Sequence, residues 1–127
     1  MNRIVRTLPK FLAAAVLLLG FSTITACHSY HIEATVENHT GGTVTLLEVD
    51  YPSASFGKDT LATDEVFHHR IQTRGDGPIT VQYTGPHGRA VQVQGPEIYE
   101  QQEGSIEIVL LPNGKAEFHP ALSAQHS

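Results

Sequence analysis

One cysteine and eight histidines are the side chains of this 127-residue chain that could do the most distinctive chemistry. A cysteine thiolate is a strong nucleophile and a metal ligand, and imidazole is the commonest nitrogen ligand of metal ions. Because Cys27 is the only cysteine, it has no partner for a disulfide within the chain. Cys27 could therefore be a catalytic nucleophile, a metal ligand or a site of covalent modification.

The histidines all follow Cys27, and their spacing is not that of a metal site. No pair has the His-x-x-x-His spacing that places two ligands on one helix face, and no second cysteine could join them. His68 and His69 are neighbours and would point to opposite faces of a strand. The sequence predicts scattered, mostly solvated histidines and no cofactor. A weak Zn²⁺ or Cu²⁺ site that uses His31, His68 and His119 is the alternative.

Other short motifs indicate no catalytic site. Ser55 and Lys58 have the Ser-x-x-Lys spacing of penicillin-recognising enzymes, but the accompanying Ser-Asp-Asn and Lys-Thr-Gly elements are absent from the sequence. Glu97, Glu100 and Glu103 cluster without the Asp-x-Asp-x-Asp ladder of a calcium loop, which indicates a solvated acidic rim. We therefore expect a protein that is not an enzyme.

The residues before Cys27 have the pattern of a secretory signal. Residues 1–10 contain three basic side chains, and residues 11–21 form an uninterrupted apolar run of 11 residues. That length fits the about 7–15 apolar residues of a signal peptide and falls short of the roughly 20 that a membrane-spanning helix needs. An uncleaved membrane helix over residues 11–27, or a conventional signal followed by a chance cysteine, are the alternatives.

The tetrapeptide Ile24-Thr25-Ala26-Cys27 resembles the lipobox of bacterial lipoproteins, in which an aliphatic residue and two small residues precede an obligatory cysteine. The resemblance implies cleavage between Ala26 and Cys27 and attachment of a diacylglyceryl group to the Cys27 thiol. Two acyl chains anchor a protein firmly, since each buried methylene contributes about 0.8 kcal/mol. We therefore expect residues 1–26 to be a signal peptide and the protein to reach the membrane through a covalent lipid.

The same resemblance bears on location. In lipoproteins of the proteobacterial type, an aspartate directly after the lipidated cysteine favours retention in the inner membrane. His28 stands at that position here. We therefore expect a lipid-anchored protein of the bacterial cell envelope, with the outer membrane favoured.

The chain from Cys27 onward is acidic. It contains five basic and 13 acidic residues, so its formal charge is −8 (5 − 13). A negative surface repels phosphate backbones and anionic lipid head groups. We therefore expect no nucleic-acid partner, and the expected partner is an envelope protein or a glycan.

Hydrophobic and polar residues alternate through most of residues 31–120. A period of two predicts strands, and about seven such segments are separated by turn sequences such as "RGDGP", "TGPHG" and "PNG". The spacing predicts an all-β fold after an N-terminal signal helix: an antiparallel two-layer β-sandwich, immunoglobulin-like in broad architecture. Residues 27–30 are predicted to be a tether and residues 121–127 a flexible tail.

Two segments interrupt the alternation and are the predicted binding loops. Residues 52–65 and 95–104 are long connections, and such loops often carry function. The stretch "LLEVDYPSASFG" resembles a segment of small uncharacterised bacterial lipoproteins, which implies no mechanism. We expect a binding or structural module. Its candidate loop residues, some of which could instead anchor the loops in the core, are Phe56, Lys58, Asp59, Ile98 and Tyr99.

Overall fold

The computed structural model describes residues 28–124, which form eight strands. Most strands alternate buried and exposed side chains, as the hydrophobic pattern predicts. The predicted signal peptide, Cys27 and the last three residues lie outside the described residues. The strands are β1 Ile32–Asn38, β2 Val44–Tyr51, β3 Ala54–Leu61, β4 Val66–Ile71, β5 Gly77–Thr84, β6 Ala90–Ile98, β7 Gly104–Leu111 and β8 Lys115–Leu122, with a 3-10 turn at Pro112–Gly114.

The strands form two four-stranded sheets around one hydrophobic core. The first sheet has the order β4-β1-β7-β8, and the second has the order β3-β2-β5-β6. The pairs β2–β3, β5–β6 and β7–β8 are antiparallel hairpins. In contrast, β1 and β7 pair in parallel, with Ile32 opposite Gly104 and Asn38 opposite Leu110. The predicted antiparallel sandwich therefore contains one parallel pair.

The core lies between the inner faces of the two sheets. Alternate residues of the inner strands point into it, because successive side chains of a strand face opposite sides. Burying one Val, Leu or Ile side chain contributes about 1.5–3 kcal/mol. The inner strands β1, β7, β2 and β5 therefore stabilise the fold most. Their buried hydrophobic residues are Ile32, Ala34, Val36, Ile106, Ile108, Leu110, Val44, Leu47, Val49, Ile79, Val81 and Tyr83.

The connections between strands are divided between two ends of the sandwich. We call the end that contains the turns after β1, β3, β5 and β7 the distal end. The residues before β1 lie at the opposite end, the tether end, where His28 contacts Glu103 in the connection after β6. A strand of seven or eight residues spans about 25 Å. The two ends are therefore separated by about that distance.

The segment 52–65 is largely a strand, so its prediction as a loop was wrong. Residues Ala54–Leu61 form β3 and pair with β2 along their whole length. An outer strand exposes most of its side chains, so small polar residues are tolerated there. Because these residues do not alternate with hydrophobic ones, the hydrophobic pattern does not predict this strand. Phe56 and Leu61 are buried and anchor the segment in the core. The additional strand raises the count from seven to eight.

The segment 95–104 is also a shorter loop than predicted. Strand β6 continues to Ile98, which is fully buried, and only residues 99–103 connect it to β7. The register between β5 and β6 shifts by one residue near Gly95 and Pro96, which forms a β-bulge. The bulge interrupts the alternation from which the end of the strand would have been recognised.

The last strand is longer than predicted, and the strand order differs from that of an immunoglobulin domain. β8 extends to Leu122, two residues past the predicted domain boundary, and the Ser123 N–H donates to the Glu103 carbonyl at 2.8 Å. In a constant-type immunoglobulin domain the first two strands share a sheet. Here β1 and β2 lie in different sheets. The two-layer β-sandwich is therefore as predicted, while its connectivity differs from that arrangement.

Candidate functional site at the distal end

The turn between β5 and β6 projects a histidine and an arginine at the distal end. Two backbone hydrogen bonds close it: Gly85 N–H donates to the Arg89 carbonyl at 2.8 Å, and Gly88 N–H donates to the Gly85 carbonyl at 3.0 Å. Pro86 restricts φ early in the turn, and Gly88 has a φ of 81° that glycine adopts without steric cost. His87 and Arg89 therefore project from a well-defined backbone.

Asn38 joins two neighbouring connections of the distal end. Its buried Nδ2 donates to the carbonyl oxygens of Gly42 (2.8 Å), Leu61 (2.9 Å) and Ala62 (3.1 Å). Its Oδ1 accepts the Thr40 backbone N–H at 3.0 Å. Leaving such a buried polar group without a partner costs about 1–3 kcal/mol. The network therefore holds the turn after β1 and the connection after β3 in place.

Close contacts bring the turns of the distal end together. A Cβ at Gly42 would lie 2.6 Å from the Pro86 Cβ, so glycine permits the turns after β1 and β5 to touch. In the turn after β7, Asn113 and Gly114 have φ values of 66° and 73°. Asparagine and glycine tolerate such positive φ values better than other residues do. The Asn113 carboxamide forms no hydrogen bond within residues 28–124.

These three turns surround a cleft, which we call the distal cleft. Its volume is about 370 Å³, within the about 300–1,000 Å³ of small-molecule sites. Buried or half-buried residues of β5 and β6 and exposed residues of the turns line it. The lining includes Thr40, Tyr83, Pro86, Arg89, Val91, Leu111 and Asn113.

The distal cleft is basic, although the described chain as a whole is acidic. Arg89 and His87 lie on it, and its lining contains no aspartate or glutamate. Arg89 is exposed and forms no ion pair with any described residue, whereas Lys58 is paired with Glu65. An unpaired guanidinium keeps its N–H donors for a ligand. The cleft can therefore attract a negatively charged group.

Tyr83 contributes to the cleft wall from the core side. It is 4% exposed, and its hydroxyl has no hydrogen-bond partner in the described part of the chain. Burial raises the pKa of the Tyr83 hydroxyl, which keeps it a neutral O–H. Opposite Tyr83, β2 has a bulge at Leu46 and Leu47, where Leu46 has a φ of 51° and is 68% exposed. The Leu46 side chain does not line the distal cleft.

The predicted loop residues lie away from the distal cleft. Phe56 and Ile98 are buried in the core, so their side chains are not available to a partner. Lys58 and Asp59 lie on the outer strand β3, and Tyr99 lies in a connection at the tether end. Since β3 and β6 are the two outer strands of one sheet, the structure does not bring these residues together. The predicted cleavage and lipidation residues, Ala26 and Cys27, lie outside the described residues.

Lys58 takes part in a contact that fixes the connection after β3. Its ammonium group donates to the Glu65 carboxylate, which also accepts the Ala62 N–H at 2.8 Å. The hydrogen bond from Lys58, followed by that from Ala62, holds the pKa of Glu65 below its ordinary value. The Lys58 Nζ also lies 5.7 Å from the centroid of the Phe67 ring. These contacts explain the position of the Lys58 side chain without a bound ligand.

Strand order separates the three histidines of the alternative metal site. His68 and His119 lie on the outer strands β4 and β8, in one row with Thr35 and Glu107 between them. Three strand spacings of about 4.8 Å put their backbones about 14 Å apart, whereas metal–nitrogen bonds are about 2 Å long. His31 lies at the tether end, before β1. Within residues 28–124, no group of three or more His, Cys, Asp or Glu could hold a metal ion.

Two carboxylates lie side by side on the outer face of the second sheet. The Gln82 amide donates to Glu48 at 3.1 Å and to Asp50 at 3.2 Å. Burial, then the hydrogen bond and charge of Glu48, raises the pKa of Asp50. Because Gln82 binds both carboxylates, the three side chains form a polar cluster within this one sheet, and the cluster needs no ligand to explain it.

Comparison with known proteins supports the sandwich fold. A protein from Eubacterium rectale, whose structure was determined by NMR, is similar with a TM-score of 0.54 at 12% sequence identity. The match covers 77% of this chain and 95% of that chain. At this identity the likeness shows the fold alone. No family model and no curated protein match the sequence.

The sequence alone does not predict the distal cleft. It predicts turns at "TGPHG" and "PNG", but a hydrophobic pattern does not show which turns meet in space. One available signal is charge: only five Lys or Arg residues follow Cys27, and Arg89 lies two residues after His87 in a turn without acidic neighbours.

Within residues 28–124, the structure contains no helix with the length and hydrophobicity needed to cross a membrane.

Proposed function

We propose that the protein is a lipid-anchored lipoprotein of the bacterial cell envelope, and that it is a non-enzymatic module that binds a ligand in the distal cleft. The observation that carries the proposal is the position of this cleft at the end opposite His28. Cys27 directly precedes His28. A lipid on Cys27 would hold the tether end at the membrane and leave the cleft facing solvent, about 25 Å away.

Several features support this arrangement. The lipobox resemblance supplies the anchor, and His28 after the cysteine favours the outer membrane. Immunoglobulin-like sandwiches bind through loops gathered at one end, and we propose the same use of the distal turns here. The ligand would be a component of the envelope, either a small molecule or part of a protein or glycan. The acidic surface supports binding through the basic cleft, since most other faces would repel an anion.

The anchor is tested by replacing the modified side chain. The full chain and its Cys27→Ser variant are produced in a bacterial host, and intact mass and membrane fractionation are measured. We expect the unaltered protein to begin at Cys27, to carry the mass of acyl chains and to fractionate with the outer membrane. The variant should lack the acyl mass and leave the membrane fraction, because serine provides no thiol for the thioether.

Ser22→Ala is the matched control, since it changes the signal region outside the lipobox and should leave acylation intact. A mature protein without acyl mass would contradict the proposed anchor. So would a Cys27→Ser variant that remains in the membrane fraction as the unaltered protein does.

A further inference from the structure

We propose that the distal cleft binds a small organic carboxylate, with the charged group on Arg89 and an apolar body against the inner cleft wall. The inference rests on the proposed function and names the chemical class of its ligand. A free carboxylic acid and the C-terminal residue of a peptide share this chemistry, and both are tested below.

The charge distribution identifies the polar group of the ligand. The chain from Cys27 onward carries a formal charge of −8, yet no carboxylate lines the cleft. Arg89 lies there without an ion-pair partner among residues 28–124. A planar guanidinium matches a carboxylate with two parallel N–H···O bonds, which are among the strongest hydrogen bonds in proteins. Asn113 lines the same cleft, and its carboxamide, also without a partner in the described chain, is a further donor.

The wall of the cleft identifies the rest of the ligand. Val91 is half-buried and lies on the core-facing side of β6, and the exposed Pro86 and Pro112 also line the cleft. Tyr83 adds its aromatic ring from the core side. Apolar contact of this kind favours an aromatic or aliphatic group. A volume of about 370 Å³ suits one such group with its carboxylate rather than a polymer that crosses the cleft.

Hydrogen bonds and packing contacts within the chain hold the turns that form the cleft. Backbone hydrogen bonds close the turn that carries Arg89, the Asn38 network holds the turn after β1, and Gly42 packs on Pro86. A preformed site loses little conformational entropy on binding. A small ligand can therefore bind here without reorganising the sandwich.

The probe pair is N-acetyl-L-phenylalanine and its neutral analogue N-acetyl-L-phenylalaninamide. Binding to the full mature protein, purified in detergent micelles whether or not it carries acyl chains, is measured by isothermal titration calorimetry, with empty micelles as the blank. We expect saturable binding of the acid, and binding of the amide weaker by about tenfold, the effect of losing one charge-assisted interaction. The tripeptide Gly-Gly-Phe and its C-terminal amide form the second arm. Tighter binding of the tripeptide than of the acid identifies a peptide C-terminus as the source of the carboxylate, and the reverse order identifies a free acid.

Arg89→Gln tests the site, and Arg74→Gln is its matched control. Both remove one exposed arginine charge, but Arg74 lies in the connection after β4 at the tether end. We expect Arg89→Gln to weaken binding of the acid by about tenfold and Arg74→Gln to leave it within about twofold of the unaltered protein.

Three results would overturn the inference: no saturable binding of the acid, equal binding of acid and amide, or equal effects of the two arginine variants. If acid and amide bind equally, and Arg89→Gln changes the binding of neither, the proposed carboxylate recognition is wrong, although the protein still binds a ligand. Failure of the lipid anchor would appear instead in the mass and fractionation of the Cys27→Ser experiment. The two failures are therefore distinguishable.

Discussion

Asn38 organises the loops of the distal end through one buried side chain. Its position next to His39 and Thr40 is typical of a turn residue, yet Asn38 is 0% exposed and binds carbonyl oxygens from two connections. A carboxamide offers two N–H donors and one acceptor, whereas an ionised carboxylate only accepts. With one N–H shared between two acceptors, asparagine serves all three carbonyl oxygens, whereas an ionised aspartate of almost the same shape serves none.

We expect Asn38→Asp to lower the free energy of unfolding by about 3 kcal/mol or more at pH 7. The change removes the donors to Leu61 and Ala62 and buries a charge against carbonyl oxygens. Asn113→Asp is the matched control: it makes the same chemical change in an exposed turn, where the effect should stay within about 0.5 kcal/mol. Urea unfolding measures both variants. A small effect of equal size in the two would contradict the role of Asn38.

Aromatic rings close both open sides of the sandwich by bridging outer strands of the two sheets. On one side Phe118 of β8 lies over Gly95 of β6. On the other, Phe56 of β3 stacks on His69 of β4, with ring centroids 4.2 Å apart and planes inclined by 15°. Each contact joins outer strands of different sheets, where backbone hydrogen bonding ends. The rings bridge this gap because they are large and apolar.

We expect Gly95→Ala to destabilise the fold by about 1–3 kcal/mol, the usual cost of overpacking a filled site. A Cβ at Gly95 would lie 2.5 Å from the Phe118 ring, so the ring would have to move. Gly85→Ala is the control, since its Cβ would meet only the Arg89 carbonyl oxygen, at 3.6 Å. Comparison of the urea midpoints tests the difference. A Gly95→Ala midpoint no lower than that of Gly85→Ala would show that Phe118 does not close this side.

The molecule as a whole is organised by its four inner strands. Strands β1 and β7 are central in the first sheet, and β2 and β5 are central in the second. Their backbone groups bond to neighbours on both sides, and they supply most of the core. These strands run between the tether end and the distal end. The core that stabilises the fold therefore also separates the proposed anchor from the distal cleft.

We expect backbone amides of β1, β7, β2 and β5 to exchange with solvent most slowly, near the rate set by global unfolding. Amides of the outer strands β3, β4, β6 and β8 should exchange faster, because one side of each strand lacks a pairing partner in its sheet. Hydrogen exchange followed by NMR gives the order directly. Protection of β3 or β8 equal to that of β1 would contradict this hierarchy.

Local patterns in the sequence determined the strands, the turns and the two-layer arrangement. Alternating residues such as Ile106 and Ile108 must bury one face, so a strand of this kind requires a second layer. The positive φ at Asn113 also follows from local sterics. The resemblance to a lipobox also rests on a local motif, and lipidation of Cys27 stays a prediction. The outer strand β3 escaped recognition because its polar residues carry too little of this pattern.

Only the tertiary structure decided the strand order and the position of the distal cleft. The parallel pairing of β1 with β7 joins segments from opposite ends of the domain. Thr40, Arg89 and Asn113 are likewise far apart in sequence, yet they line one cleft. Each turn has its own local preference, but their meeting depends on how the sheets pack. That packing is set by the burial of the whole core, which no short stretch of sequence contains.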